Sequence, residues 1–272
     1  MSLVVSSLAR YPVKSCRGES LREAVVEPWG LAGDRRWMIT DPDGTFVTAR
    51  TLPRLVLVHP VPDEQGLTLH SPGVEPLRVS FPRVEPLADV VVWRNRVKAT
   101  SAGEAAAGWL TAVLGTDVRL VYLDDPQRRP VDPEFGAPGD RVSFADGYPL
   151  LLTTDASLAA LNALIAEGRN AAEGPVPMVR FRPNVVVSGA TPWAEDEWSR
   201  LRIGEARFRA VKPCSRCVLT TVDAETGEKG REPLATLARH RRIGSMIVFG
   251  TNLIPDDPGA VLRVGDEVEP LG

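Results

Sequence analysis

Residues 212–223 read Lys212-Pro213-Cys214-Ser215-Arg216-Cys217-Val218-Leu219-Thr220-Thr221-Val222-Asp223, which places two of the three cysteines beside arginine and ahead of a β-forming run. The β-branched residues 218–222 predict a strand. A thiolate, rather than a thiol, is the nucleophile and metal ligand, and the cations Lys212 and Arg216 favour the ionised form. We therefore favour a functional thiol here, with a pair of buried structural cysteines as the alternative.

The third cysteine, Cys16, lies near the other end of the chain, again among cations in residues 11–18. We expect these two basic, sulfur-bearing loops to converge on one anionic ligand. Structural zinc needs four ligands, but Cys214 and Cys217 form the single close pair and the three histidines are scattered, so zinc is disfavoured. A thioredoxin-like dithiol is also disfavoured, because it would begin a helix, whereas a β-branched run follows Cys217.

On either side of these loops the sequence reads mostly as short strands separated by turns. In the first part we predict strands over residues 3–9, 36–40, 45–49, 55–58, 90–93, 97–100 and 118–123, with turns at 41–44 and 94–96. One helix is predicted over residues 105–114. Ser101 and Glu104 form its expected capping box, and Gly115 ends it.

A Pro-, Gly- and charge-rich stretch at residues 124–140 predicts a loop and the domain boundary, which gives domains 1–124 and 125–272. The second part is predicted to contain a helix over 156–167, capped by Asp155 and ended by Gly168, and a short helix over 233–241. Its predicted strands are residues 184–188, 200–211, 218–222, 246–254 and 261–268. Many short strands with Gly and Pro between them are typical of a closed or nearly closed barrel, so the predicted class is mainly β with α.

Composition excludes several classes of protein. The chain has 272 residues and a formal net charge of −3, so bulk charge gives no attraction to nucleic acid or an acidic membrane. Three cysteines argue against a secreted disulfide framework and for a reducing compartment. Neither a signal peptide nor a bilayer-spanning apolar segment is expected, so we predict a cytoplasmic protein with no membrane partner.

Four polar clusters stand at predicted strand ends, at residues 14–15, 34–36, 181–184 and 215–217. Lysine, arginine and serine together supply charge and directional donors for a phosphate, so a phosphorylated small cofactor is expected. For residues 35–36 alone a solvated surface pair is the better interpretation. Residues 146–149 are consistent with either an ordinary turn or a backbone wall for a ligand.

Six short marker stretches occur in order from residue 11 to residue 252. The markers are Tyr11-Pro12-Val13-Lys14-Ser15-Cys16, Gly33-Asp34-Arg35-Arg36-Trp37, Val47-Thr48-Ala49-Arg50, Phe181-Arg182-Pro183-Asn184, residues 214–223 and Phe249-Gly250-Thr251-Asn252. Together they resemble the MOSC family, the molybdenum-cofactor sulfurase C-terminal-like proteins, and within it the branch that contains the mitochondrial amidoxime-reducing component and its bacterial relatives.

That resemblance implies an N-terminal MOSC β-barrel-like domain, a MOSC β-barrel domain and a molybdenum-molybdopterin cofactor held between them. Cys217 would be the metal ligand and the catalytic residue. The implied cofactor-binding residues are Lys14, Ser15, Arg35 and Arg182 for the phosphate, Asn184, Ser215 and Arg216 as further donors, Asp146, Gly147 and Tyr148 along the pterin, and Asn252. The family is also associated with pyridoxal phosphate binding.

The implied reaction is reduction of a small N-hydroxylated substrate, such as an amidoxime or hydroxylamine, by oxygen-atom transfer. Electrons would come from a separate protein of the flavin reductase, ferredoxin or cytochrome type, and a bacterial source is expected. A second hypothesis is a sulfur carrier that delivers sulfur from a Cys217 persulfide to a metal or cofactor. A third is a pterin-binding module without catalysis, and the phosphate cluster beside Cys217 favours the first over both.

Overall fold

The chain folds into short strands with few helices, as seen in a computed structural model that describes residues 2–82 and 87–272. The strands of those residues are β1 Val4–Arg10, β2 Glu19–Leu21, β3 Glu23–Glu27, β4 Gly30–Leu31, β5 Trp37–Thr40, β6 His59–Asp63, β7 Gly66–Ser71, β8 Val74–Ser80, β9 Leu87–Val92, β10 Asn95–Ser101, β11 Arg119–Tyr122, β12 Leu150–Thr154, β13 Val185–Ser188, β14 Arg200–Ile203, β15 Ala206–Ser215, β16 Arg242–Ile243, β17 Met246–Pro255, β18 Val261–Arg263 and β19 Val268–Pro270. The α-helices are α1 Glu104–Leu114, α2 Asp155–Ala166 and α3 Leu234–His240. No helix in the described residues combines the length and the apolar content needed to cross a bilayer.

The largest sheet runs in the order β19-β14-β15-β17-β12-β13-β1-β2, with β16 beside β17. Its neighbours are antiparallel except β12 and β13, which are parallel and joined through α2. The sheet curls until its two ends meet, because Val5 N–H donates to Asp266 O at 2.9 Å and Val268 N–H donates to Leu3 O at 2.9 Å. The second part therefore forms a nearly closed barrel, as predicted, and the first strands of the chain complete it.

Two smaller sheets lie in the first part, with the orders β5-β11-β10-β9 and β6-β7-β8, and a third, β18-β3-β4, joins a strand of the second part to two strands of the first. The barrel encloses an apolar core that includes Val5, Leu152 and Phe208. A second core lies beneath α1 and includes Trp37 and Leu110. Loops between these two cores are therefore held from both sides by packed side chains.

Three predicted strands are absent, and two others are each divided: residues 200–211 form the β14–β15 hairpin, and residues 261–268 are split between β18 and β19. Residues 53–57 and 218–221 form 3-10 helices instead, and of residues 45–49 only Thr45 and Phe46 make isolated bridges. In the second 3-10 helix the Thr220 hydroxyl donates to Cys217 O at 3.0 Å and the Thr221 hydroxyl to Val218 O at 2.9 Å. These local bonds satisfy the backbone within the turn, so the β-branched run does not join a ladder.

Two predicted helix caps are also wrong. Ser101 is the last residue of β10, and the N-cap of α1 is Gly103, which has no side chain to accept a hydrogen bond. For α2 the cap is Thr154, whose hydroxyl accepts from Ser157 N–H at 3.1 Å, and Asp155 occupies the first helical position. Both helices begin one residue earlier than predicted, at Glu104 and Asp155.

Gly250 offers a test of how tightly the barrel is packed. A Cβ at Gly250 would lie 2.6 Å from Leu152 O and 2.7 Å from the Thr153 methyl carbon, and its φ is +75°. We expect Gly250→Ala to cost about 1–2 kcal/mol from left-handed strain and a further ~1–3 kcal/mol from the clash. Gly244→Ala is the matched control, since φ is +57° and nothing described lies within 4 Å of its Cβ position. Equal losses in urea unfolding would contradict this packing.

Candidate functional site

Every residue predicted from sequence as a site residue lies on the wall of one cavity of about 770 Å³. They are Lys14, Ser15, Arg35, Asp146, Gly147, Tyr148, Arg182, Asn184, Ser215, Arg216, Cys217 and Asn252. The structure thus brings together side chains that are far apart in the chain. Their individual roles stay predictions.

The cavity wall also contains residues that sequence reasoning did not assign. They are chiefly Arg50, Trp93, Arg94, Asn95, Arg129, Arg180 and Lys212. Arg50 lies in the marker stretch 47–50, and Lys212 lies in the stretch 212–223. Membership of these stretches could have identified both residues as candidates for the site. Nothing in the local sequence around Trp93 or Arg129 distinguishes them from turn and loop residues, because contacts across the fold place them here.

The backbone around the cavity is strained. Ser15, Arg35, Trp93 and Arg182 line the cavity with φ values of +68°, +47°, +55° and +56°, in the left-handed region that non-glycine residues avoid. Among the described non-glycine residues, only Trp193 shares this conformation elsewhere. Such strain persists only where surrounding contacts fix it, and it concentrates at ligand sites.

Arg35 is fixed by charge and hydrogen bonds. Its Nη1 donates to Asp34 Oδ2 at 2.6 Å and to Asn184 Oδ1 at 3.2 Å, and its Nη2 donates to Arg182 O at 3.2 Å. Asn184 also donates to Ala9 O at 3.2 Å and accepts from a backbone N–H at 3.2 Å. The amide of Asn184 is therefore engaged with the protein, and it positions Arg35 and β1.

Arg182 carries a guanidinium that the protein satisfies only in part. Its Nη1 donates to Cys16 O at 2.7 Å, and its guanidinium lies 4.2 Å from the centre of the Tyr11 ring. Its Nη2 is buried and has no hydrogen-bond partner in the described part of the chain. Burial lowers the pKa of Arg182 to about 10, and the nearby Arg35 contributes to that shift. The group therefore stays charged at neutral pH and favours an added anion.

Two further arginines present buried donors in the same way. Arg216 donates to Phe249 O at 2.9 Å and to Phe181 O at 3.1 Å, while its Nη2 is buried without a partner among residues 2–82 and 87–272. Arg129 is 1% exposed, donates to Ala145 O at 2.6 Å, and has an unpartnered Nε within the described residues. Backbone carbonyls thus accept the hydrogen bonds of most of these donors, but a carbonyl supplies only partial negative charge.

Lys14 lines the same cavity. Its Nζ donates to Phe144 O at 2.8 Å and to Asp146 Oδ1 at 2.5 Å. Burial lowers the pKa of Lys14 to about 8, although the Asp146 carboxylate opposes that shift. Tyr148 follows in the same loop, and burial raises the pKa of its phenol to about 12.

The three cysteines occupy different environments. Cys217 is partly buried on the cavity wall, where it precedes the 3-10 helix Val218–Thr221, and Cys214 is partly buried nearby at the end of β15. Cys16 is fully buried in the core beneath α1, and burial raises the pKa of its thiol to about 12. The expectation of two sulfur-bearing loops at one ligand is therefore corrected. Both loops reach the cavity, but the Cys16 thiol is a core residue.

Charge along the cavity wall is strongly positive. Among the described lining residues the cations are Lys14, Arg35, Arg50, Arg94, Arg129, Arg180, Arg182, Lys212 and Arg216, and the acids are Asp132 and Asp146. Buried charges without partners are costly, so guanidinium nitrogens that lack a partner among the described residues fit an anionic ligand. A phosphate fits this donor set, and the accessible Cys217 thiol fits a soft metal.

Comparison with known proteins decides the family. Residues 2–117 match the MOSC N-terminal beta barrel domain, and residues 139–269 match the MOSC domain. The chain belongs to the MOSC family. This MOSC protein is 36% identical to human mitochondrial amidoxime-reducing component 1, with 98% of this chain and 83% of that protein covered.

Another relative of this MOSC protein is named for a different activity. The molybdenum cofactor sulfurase of Oryza sativa subsp. japonica is 32% identical, with 98% of this chain and 35% of that protein covered. Among solved structures, the YUAD protein from Bacillus subtilis aligns at 11% identity with a TM-score of 0.44, covering 98% of this chain and 94% of that one. The names of these relatives do not include pyridoxal phosphate, so its binding stays an expectation from the family resemblance.

Lys14 gives the site a predicted pH dependence. The protonated amine of Lys14 attracts an anion. The affinity of the site for an anion should therefore be highest below the Lys14 pKa of about 8 and should fall as the pH rises through that value. Sulfate is a suitable probe because its own charge is constant over this range. We expect its dissociation constant, measured by calorimetry, to increase by up to about tenfold per pH unit above that point.

The control for this measurement is Lys14→Met, which should bind sulfate more weakly and without the step near pH 8. Both proteins should carry Cys217→Ser, so that the two differ only at residue 14 and neither presents that thiol to the probe. A pH profile that is the same with and without the amine would contradict the assignment.

Proposed function

We propose that this MOSC protein holds a molybdenum cofactor in the cavity and reduces N-hydroxylated compounds such as amidoximes and hydroxylamines. The observation that carries the proposal is that the partly exposed Cys217 lines the same cavity as Arg182 and Arg216, each of which has a buried nitrogen without a partner among the described residues. Such a wall offers a soft ligand to a metal and strong donors to a phosphate. The relatives named for amidoxime reduction support the same assignment.

In this proposal Cys217 binds the metal, and Lys14, Ser15, Arg35 and Arg182 bind the phosphate of the cofactor. Ser215 and Arg216 donate further hydrogen bonds, residues 146–148 line the pterin, and Asn252, which donates to Lys212 O at 3.0 Å, holds the adjacent strand ends together. When bound, the cofactor supplies the redox chemistry of oxygen-atom transfer.

The protein contributes positioning and charge. Strained, hydrogen-bonded residues such as Arg35 and Arg182 are already oriented, so anion binding does not require their reorganisation. The cavity admits a small substrate beside Cys217. The overall reaction takes two electrons and two protons, breaks the N–O bond, and yields the amine or amidine with water. The electrons come from a separate donor protein, and we place the reaction in the cytoplasm.

A sulfur-carrier function is the second candidate, favoured by the similarity to a molybdenum cofactor sulfurase. In that case Cys217 would carry a persulfide and transfer its outer sulfur to an acceptor. The cationic wall argues against it, because a persulfide carrier has no evident need for several buried donors around one cavity.

Replacement of Cys217 separates these functions. In protein made by a host competent for cofactor synthesis, we expect Cys217→Ser to retain pterin but to reduce benzamidoxime more than about 100-fold more slowly, since even the partners of metal ligands contribute 10–100-fold. Molybdenum per chain, measured by mass spectrometry, provides the second readout.

Cys214→Ser is the matched control from the same loop, and it should retain activity. If Cys217→Ser reduces benzamidoxime at the original rate, the ligand role is wrong. A protein that binds no molybdenum but accumulates a persulfide on Cys217 would support the sulfur-carrier function instead.

A further inference from the structure

The tip of the β9–β10 hairpin stands at the rim of the cavity. We call residues Trp93, Arg94, Asn95 and Arg96 the rim hairpin. All four are exposed, and Trp93, a large aromatic residue, is 47% exposed. The first three also line the cavity that contains Cys217. The rim hairpin is therefore both a surface feature and part of the entrance to the site.

Trp93 occupies a position where tryptophan is unfavourable. Val92 pairs with Asn95, which leaves a two-residue turn, and Trp93 is its first residue with φ +55°. Glycine is the usual residue where the first turn position has positive φ, and a bulky side chain there costs about 1–3 kcal/mol. Formation of the turn alone therefore does not explain this residue.

Contacts beneath the indole hold it in this orientation. Trp93 Nε1 donates to Asp146 Oδ1 at 3.2 Å, the Arg50 guanidinium lies 4.3 Å from the ring centre, and the Phe46 ring lies 5.3 Å away. The ring is thus fixed from below, while nearly half of its surface faces outward. A fixed, outward aromatic surface is typical of the centre of a protein interface.

The charge of the rim hairpin is not neutralised. Arg94 and Arg96 make no salt bridge or side-chain hydrogen bond with any described residue, whereas Asp89, the acid of the same hairpin, is paired with Lys98 at 2.7 Å. The chain as a whole has a formal charge of −3. The attraction of a negatively charged partner to this rim is therefore local and does not come from the net charge of the chain, which favours one docking orientation.

We propose that the rim hairpin docks the electron donor, and that this donor is a small, acidic, one-electron carrier protein. The inference rests on the proposed reductase function, which needs two electrons for each N–O bond broken. Two reduced carriers would each lose one electron, two protons would come from solvent, and the oxygen would leave as water. Two successive encounters require fast exchange, which suits a small, charged and salt-sensitive interface.

The test compares two reductants for benzamidoxime reduction by the molybdenum-loaded protein. An acidic plant-type [2Fe–2S] ferredoxin probes docking, and reduced methyl viologen bypasses it. We expect Arg96→Glu to raise the KM for ferredoxin about tenfold at low salt with little change in kcat, because a rim charge acts mainly on association. Viologen-driven activity should change less than about twofold.

Arg22→Glu is the matched control. Arg22 is exposed between β2 and β3, lines neither described cavity, and has no salt bridge within residues 2–82 and 87–272, so the change in charge is identical. Its KM for ferredoxin should stay within about twofold of the original. Equal effects of Arg22→Glu and Arg96→Glu, or a ferredoxin KM that is independent of salt, would overturn the proposal.

Direct binding distinguishes failure of docking from failure of the proposed function. Calorimetry with oxidised ferredoxin needs no turnover, and Trp93→Gly, which suits φ +55° and preserves the turn, should weaken that binding. No binding to the original protein overturns the docking surface. If the loaded protein binds ferredoxin at the rim but reduces no substrate with either reductant, the reductase proposal fails while the docking surface stands. A higher KM for benzamidoxime in Arg96→Glu with viologen would assign the rim to substrate and overturn donor docking.

Discussion

Buried positive charge that the fold neutralises only in part is the constraint on which this cavity depends. Burial lowers the pKa values of both Lys14 and Arg182. Lys14 is paired with the Asp146 carboxylate, but the hydrogen-bond partner of Arg182 is a backbone carbonyl, which provides only partial negative charge. Desolvated cations that lie close together repel one another, so rigid surroundings must hold them. Left-handed residues and the Tyr11 ring, stacked against the Arg35 and Arg182 guanidinium groups, supply that rigidity. The fold is thereby prepared for an anion before one binds.

The barrel determines which residues meet at the cavity. β1 pairs with β13, β13 runs parallel to β12, and β15 pairs with β17. Lys14 follows β1, Arg182 precedes β13 and Cys217 follows β15, so their separation in sequence is large while the strand ends are adjacent. The candidate functional residues lie on loops, and each loop is anchored at a hydrogen-bonded strand end. The strands therefore fix the positions of these residues.

Much of the site could be predicted from sequence because its residues occur in compact motifs. Cys217, Arg216 and Ser215 stand together, and the resemblance of that stretch to a known family carried information that composition alone lacks. The 3-10 helix that follows could not be predicted, because a β-branched run is compatible with a strand until the Thr220 and Thr221 hydroxyls are seen bonding within the turn. Trp93 and Arg129 were missed because contacts from distant segments bring them to the cavity.

The place where the barrel closes, between the start of β1 and the segment around β19, has a consequence for biosynthesis. Hydrogen bonds join Leu3 and Val5 to Val268 and Asp266, so the start of β1 pairs with a segment that the ribosome makes much later. Contacts of such high sequence separation form slowly, and the barrel cannot close while the chain is still emerging. The last described lining residue of the cavity, Asn252, precedes β19, so the cavity wall is made before the barrel can close. Until β19 has emerged, β1 can pair with β2 and β13 but not with Asp266 and Val268.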